Sequence, residues 1–128
     1  MVCEKWGLLA KVHNGDYLPR QQLGDLFDFG VDCVNIAPEM GQIESRAYLE
    51  VIDSKTLDIF HKIVYDSGRW TKWLTPEQAA DPVVLINAAG HYVLNHSDFT
   101  VHIKSRYPID ETIKANVTRR LEELHGLI

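Results

Sequence analysis

Apolar and polar residues follow one another along this chain in blocks whose spacing changes from end to end. "WGLLAKV" (6–12) is apolar without a helical period, as in a strand buried on both faces. "PRQQLGDLFDFG" (19–30) follows. Pro19 suits a first helical turn and Gly30 a stop, while Leu23, Leu26 and Phe27 fall at helical spacing. "VDCVNIAP" (31–38) is short, β-branched and largely apolar, which predicts a second strand. "EMGQIESRAYLEVI" (39–52) then reads as a helix with Met40, Ile43, Ala47 and Val51 or Ile52 facing inward. The order β-α-β-α with short connections implies parallel strands joined by a right-handed crossover.

From residue 54 the pattern is helical. "SKTLDIFHKIVYDSG" begins at Ser54 and ends near Gly68. "RWTKWL" places Trp70 and Trp73 three apart, on one side of a short turn. Thr75 and Gln78 have the spacing of a capping box, with Pro76 at the first turn. Asp81 can cap and Pro82 can open the next helix. "HSDFTVHIKSRYP" predicts a further short helix closed by Pro108. Asp110 can cap a final helix whose stripe is Ile113, Val117, Leu121 and Leu124 and whose stop is Gly126. The expected organisation is one α/β unit: a βαβα segment over 1–53 and a helical tail over 54–128.

Composition narrows the function. A length of 128 residues predicts one domain. The net charge is −5, and no Lys/Arg cluster marks a phosphate-tracking face, so no nucleic-acid partner is expected. No apolar run reaches the ~18 residues of a membrane span, and the N-terminal residues do not read as a signal peptide. Cys3 and Cys33 are the two cysteines; without a secretory signal they are expected as free thiols, in the cytoplasm.

Candidate chemistry lies at the ends of the two predicted strands. In parallel α/β folds, ligands sit at the carboxyl ends of strands. The first strand ends in His13, Asn14, Gly15 and Asp16; the second ends in Asn35, Ala37, Pro38 and Glu39. Neighbouring parallel strands would bring both tips to one rim. A histidine can ligate a metal or move a proton, a glycine allows close backbone approach, and an asparagine both donates and accepts. That set suits a polyol or sugar. Each residue also has a structural reading. His13 can bond a backbone group, Asn35 can satisfy loop amides, Asp16 can cap the next helix, and Glu39 can favour a helix macrodipole.

"VHNGDYLPRQQLGDLFDFGVDCVNIAPEMGQIESRAYL" resembles the last two βα units of class II sugar-bisphosphate aldolases, which are zinc-dependent TIM (β/α)8 barrels. The matching positions are His13, Gly15, Gly30, Val31, Val34, Asn35, Ile36 and Glu39. The "H-x-x-D-Y" tip (His13, Asp16, Tyr17), Pro38, "GRWTKWL", "GHYVLNHSDF" and "IDETIKANVTRRLEEL" are similar to the companion, non-catalytic subunit of tagatose-bisphosphate aldolase. The resemblance runs from about Leu8 to Leu124 and implies the C-terminal βαβα portion of a TIM barrel followed by a helical tail. It implies His13 as the metal ligand, with zinc as the metal. It implies Asn35 and Asp16 as catalytic residues, and Asn14, Gly15, Asn35 and Glu39 as substrate contacts.

Two departures qualify that assignment. Pro38 stands where the catalytic enzymes have a hydroxyl residue, and the loop after His13 holds a single glycine, which weakens a phosphate cradle. A catalytic zinc usually takes three protein ligands, and the family supplies its others from strands absent here. His61, His91, His96, His102 and His125 fall in predicted helices or loops and are expected in structural roles. Trp70 and Trp73 are either core or interface anchors or a sugar-stacking platform. The expected function is that of the C-terminal part of a tagatose-bisphosphate aldolase-like sugar (phosphate) aldolase or of its companion subunit; any activity would be that of a metal-dependent aldehyde-lyase, and only in a complete barrel or assembly. The alternatives are a non-catalytic module that stabilises an aldolase subunit, or a fragment of a sugar isomerase or epimerase. Another aldolase chain or a homo-oligomer is the expected partner.

Overall fold

A computed structural model describes residues 2–127. The chain divides into two compact units: Met1–Met40 with Thr118–Ile128, and Gly41–Val117. The divisions fall inside two helices.

The first unit contains helix α1 (Val2–Lys5), strand β1 (Lys11–Val12), helix α2 (Arg20–Asp28), strand β2 (Cys33–Val34) and the first turn of α3 (Pro38–Leu49). It also contains the C-terminal half of the last helix, α8 (Asp110–His125). β1 and β2 pair in parallel, with Lys11 opposite Cys33 and Val12 opposite Val34. This overturns the expected α/β architecture. The described chain is 62% helix and 3% strand, and it is not a βαβα portion of a TIM barrel. The reason is visible at 6–12. Trp6 and Gly7 form a turn, with Gly7 at φ 64°, and Leu8–Ala10 take no regular structure. Apolar residues of strand type extend a strand only where a neighbouring strand accepts their backbone groups. Each strand here has one neighbour among the described residues. The ladder ends where Asp32 and Cys33 donate to the Ala10 carbonyl and Asn35 donates to that of Val12.

The second unit is helical. α4 (Ser54–Ser67), α5 (Pro76–Ala79), α6 (Pro82–Ala89) and α7 (Ser97–Phe99) follow the rest of α3, with a 3-10 turn at Gly90–Tyr92 and a π-helical turn at Thr100–Lys104. Local chemistry sets the helix starts. Asp53 caps α4 by accepting from the Thr56 N–H at 2.8 Å, and that bond holds its carboxyl below the usual carboxylate range. Thr75 and Gln78 form a reciprocal capping box. Asp81 accepts from the N–H groups of Val83 and Val84, with Pro82 in the first turn. Gly68 ends α4 at φ 66°, where a side chain would be strained.

Among the described residues the clustered core lies in this second unit: Tyr48, Phe60, Val64, Leu85, Ile86, Phe99 and Ile103 are among its fully buried members. Phe99 meets Tyr48 edge-on and Phe60 at a tilt, both with ring centroids 5.1 Å apart. Trp70 joins this core and donates its indole N–H to the Tyr65 carbonyl at 2.9 Å. Trp73 is exposed. The two tryptophans therefore do not form one platform.

The Tyr48 hydroxyl is buried without a hydrogen-bond partner among the described residues. Burial, then the carboxylates of Glu44 and Asp110, push its phenol up to about 12 from its ordinary 10.0. Because the folded value is the higher one, the stability it carries is present below about pH 10 and lost as pH rises towards 12. Tyr48→Phe removes the orphan hydroxyl. It is expected to leave stability unchanged or raise it by about 1 kcal/mol at neutral pH. It also abolishes this part of the alkaline decline. Urea melts of both proteins across that pH range check the result; an unchanged alkaline decline contradicts it.

Candidate functional site

The loop after β1 and the end of β2 lie together in the first unit. Asn35 Nδ2 is 3.3 Å from His13 Nδ1, a hydrogen bond across the parallel pair with both side chains exposed. Residues 22 apart meet because each follows its strand by one position on the same side of the ladder. Gly15 fixes the loop against β2. Its N–H donates to the Asn35 carbonyl at 2.9 Å, and a Cβ at this position would fall 2.0 Å from Val34 Cγ1. A glycine is required here by close packing. Asn14 and Tyr17 flank it at φ 61° and 65°, the left-handed region that costs a bulky residue such as tyrosine about 1–3 kcal/mol.

Asp16 does not cap the helix that follows it. α2 has Pro19 at its N-cap and no side-chain cap. Asp16 Oδ1 instead accepts from the N–H groups of Ala37 and Glu39, each at 2.9 Å, at the start of α3. With Pro38 lacking an N–H and the Gly15 N–H already bonded, these backbone donors are committed to the protein. They form no open cradle for an anion.

Glu39 is buried, and its oxygens face inward. Oε2 accepts from the Tyr17 N–H at 2.9 Å, and Oε1 lies 2.6 Å from Arg120 Nε in an ion pair whose N–H is not aimed along the contact. Arg120 Nη2 donates to the Leu18 carbonyl at 3.0 Å, and Nη1 reaches Glu123. Burial lowers the affinity of Arg120 for its proton. The hydrogen bonds and charges of Glu39 and Glu123 outweigh that and hold it above its ordinary value, so it stays charged. Arg120 is the residue that sequence reasoning missed. It follows Val117 by three, so the inward stripe of α8 passes through it; Leu121, the position expected there, is half exposed.

The chain matches no family model, no curated protein and no solved structure.

The residues fall into two sets. Asp16, Gly15, Glu39 and Arg120 form a framework that holds the loop in a strained shape. His13, Asn14 and Asn35 stand at its exposed margin, where an imidazole and a carboxamide can donate to and accept from hydroxyl groups. The donor set does not fit a catalytic zinc. Among the described residues no three His, Cys, Asp or Glu side chains are grouped to hold a metal, and His13 stands with an asparagine as its neighbour. His61 bonds the Ala79 carbonyl and His96 caps α7, both structural positions.

The same unit leaves much apolar surface uncovered. Among its described residues, Leu23 is the one large apolar side chain that is fully buried. Trp6, Leu9 and Phe29 are 69%, 80% and 77% exposed. Leu8, Leu9 and Phe29 line one cleft with Cys3. A second open cleft of about 490 Å³ is lined by Leu23, Phe27, Val34, Ile36, Leu121 and Leu124. No helix among the described residues is long and apolar enough to cross a membrane.

Proposed function

We propose that this chain is a non-catalytic partner module of a sugar-phosphate aldolase of the tagatose-bisphosphate type, docking through its first unit onto another aldolase chain. One observation carries this reading. Among its described residues, the unit that holds the His13–Asn35 margin fully buries one large apolar side chain, while Trp6, Leu8, Leu9 and Phe29 face solvent and each strand has one unpaired edge. Covering a large apolar side chain contributes about 1.5–3 kcal/mol, so four of them can offset much of the cost of association. A partner strand would supply the missing backbone hydrogen bonds. The free Cys3 and Cys33 suit a cytoplasmic setting. The ordered motifs from about Leu8 to Leu124 support the companion subunit as the family type.

A second reading, lyase chemistry in the assembled complex, has the 3.3 Å His13–Asn35 contact in its favour. The partner chain would then supply every further ligand and the phosphate contacts, because the loop's own donors are occupied. His13→Ala separates the two. Unchanged assembly and metal content of the complex supports the partner role; loss of bound zinc supports the lyase.

The docking itself is tested by mixing the chain with a purified catalytic subunit of a tagatose-bisphosphate aldolase. The expected result is co-elution, with new hydrogen-exchange protection over 6–12 and 31–36. Leu9→Asp with Phe29→Asp abolishes both while leaving the helical unit intact. Separate elution, with exchange in those segments unchanged, overturns the reading.

A further inference from the structure

We propose that a cleft in the second unit, at the turn after α4, binds the dianionic phosphate group of a small molecule. The cleft measures about 430 Å³ and is lined by Gly68, Arg69, Thr71, Lys72 and Tyr92. Among the described residues two cations line it and no carboxylate does. That is unusual for this chain, which has 18 acidic residues to 13 basic ones. Lys62, Lys114 and Arg120 each pair with an acid. Among the described residues neither Arg69 nor Lys72 makes an ion pair.

The turn is built to hold the Arg69 charge in place. Gly68 takes a left-handed conformation that reverses the chain after α4. Ser67 Oγ accepts from the Arg69 N–H at 3.3 Å, and Thr71 Oγ1 donates to the Gly68 carbonyl at 3.1 Å. The Arg69 guanidinium lies over the Tyr92 ring, 4.9 Å from its centre. That contact restrains an otherwise flexible side chain, whose planar fork of N–H donors suits an anion. Buried Trp70, between the two cations in sequence, anchors the segment to the core. Two cations lining one cleft match two negative charges on one group, which favours a phosphate over a single carboxylate. The cleft's size admits a small molecule.

Titration of the full chain with inorganic phosphate, followed by two-dimensional amide NMR, tests this. Saturable shifts are expected at Gly68–Lys72 and Tyr92, with a dissociation constant in roughly the millimolar range. Arg69→Ala with Lys72→Ala is expected to weaken binding about tenfold or more. Both side chains are exposed, so the fold persists and the NMR spectrum verifies it. Lys55→Ala, an exposed lysine elsewhere on α4, leaves binding unchanged. Glucose 6-phosphate binding more tightly than inorganic phosphate identifies an organic phosphate ester as the ligand; equal binding identifies the free ion. Acetate shifting the same amides with equal affinity overturns the proposal. So do shifts spread over all lysines and arginines, or binding of a single-stranded oligonucleotide without any response to phosphate.

Discussion

Phe99→Ala is expected to remove about 3–5 kcal/mol of stability, the largest effect of any single truncation considered. Phe99 has no exposed surface, and its ring touches Tyr48 edge-on and Phe60 at a tilt. The substitution loses the transfer free energy of the ring, opens a cavity between two aromatic neighbours and removes two ring–ring contacts. Small domains are commonly stable by only about 5–15 kcal/mol, so the variant should sit near the edge of folding. Urea denaturation followed by far-ultraviolet circular dichroism gives the difference. Phe29→Ala provides the contrast. It removes the same atoms from a position 77% exposed, and its effect should stay within about 0.5 kcal/mol. Equal costs at the two positions would show that the first unit has a core of its own.

Glu39→Ala is expected to release the loop that carries His13. The carboxylate receives the Tyr17 N–H and faces Arg120, whose side chain is 13% exposed. Removing one partner of a buried pair leaves an uncompensated charge, a loss of up to about 3–5 kcal/mol. Arg120 keeps the Leu18 carbonyl and Glu123, so a loss of about 2 kcal/mol is the appropriate figure. The left-handed backbone at Asn14 and Tyr17 relaxes once this restraint goes. A local change of 2 kcal/mol is about thirtyfold in the population of the open loop. Limited trypsin digestion reads it at Arg20, where cleavage should accelerate by about that factor. Glu39→Gln, which keeps the acceptor and loses the charge, should fall between. Unchanged cleavage in both variants would contradict the framework role.

The two units differ in how much of them the sequence announces. In the second unit the helix starts are set by neighbours in sequence: Thr75 with Gln78, and Asp81 with Pro82. Such contacts lie within one turn and can be read from spacing. The strands are another matter. "WGLLAKV" and "VDCVNIAP" have the composition of buried strands, yet each forms two residues of ladder, because the neighbours that would complete them are not among the described residues. Residue type states a preference for a pleated surface; pairing decides whether one exists. The meeting of His13 with Asn35 was legible because it needs only that the two strands be parallel and adjacent. The long-range partners were not. Nothing local says that Asp16 caps a helix 21 residues on, or that Arg120 closes on Glu39 from 81 residues away. An arginine three residues after Val117 on an inward stripe was the one available signal.

The central claim is that Gly41–Val117 holds its own core, whereas the unit bearing His13 and Asn35 leaves large apolar side chains exposed. Amide hydrogen exchange on the isolated full chain measures this most directly. The expected pattern is slow exchange in α4 and α6, through global unfolding, and exchange roughly a hundredfold faster or more at 10–15 and 32–35, through local opening. Equal protection in both regions, lost together in one cooperative event, would contradict it.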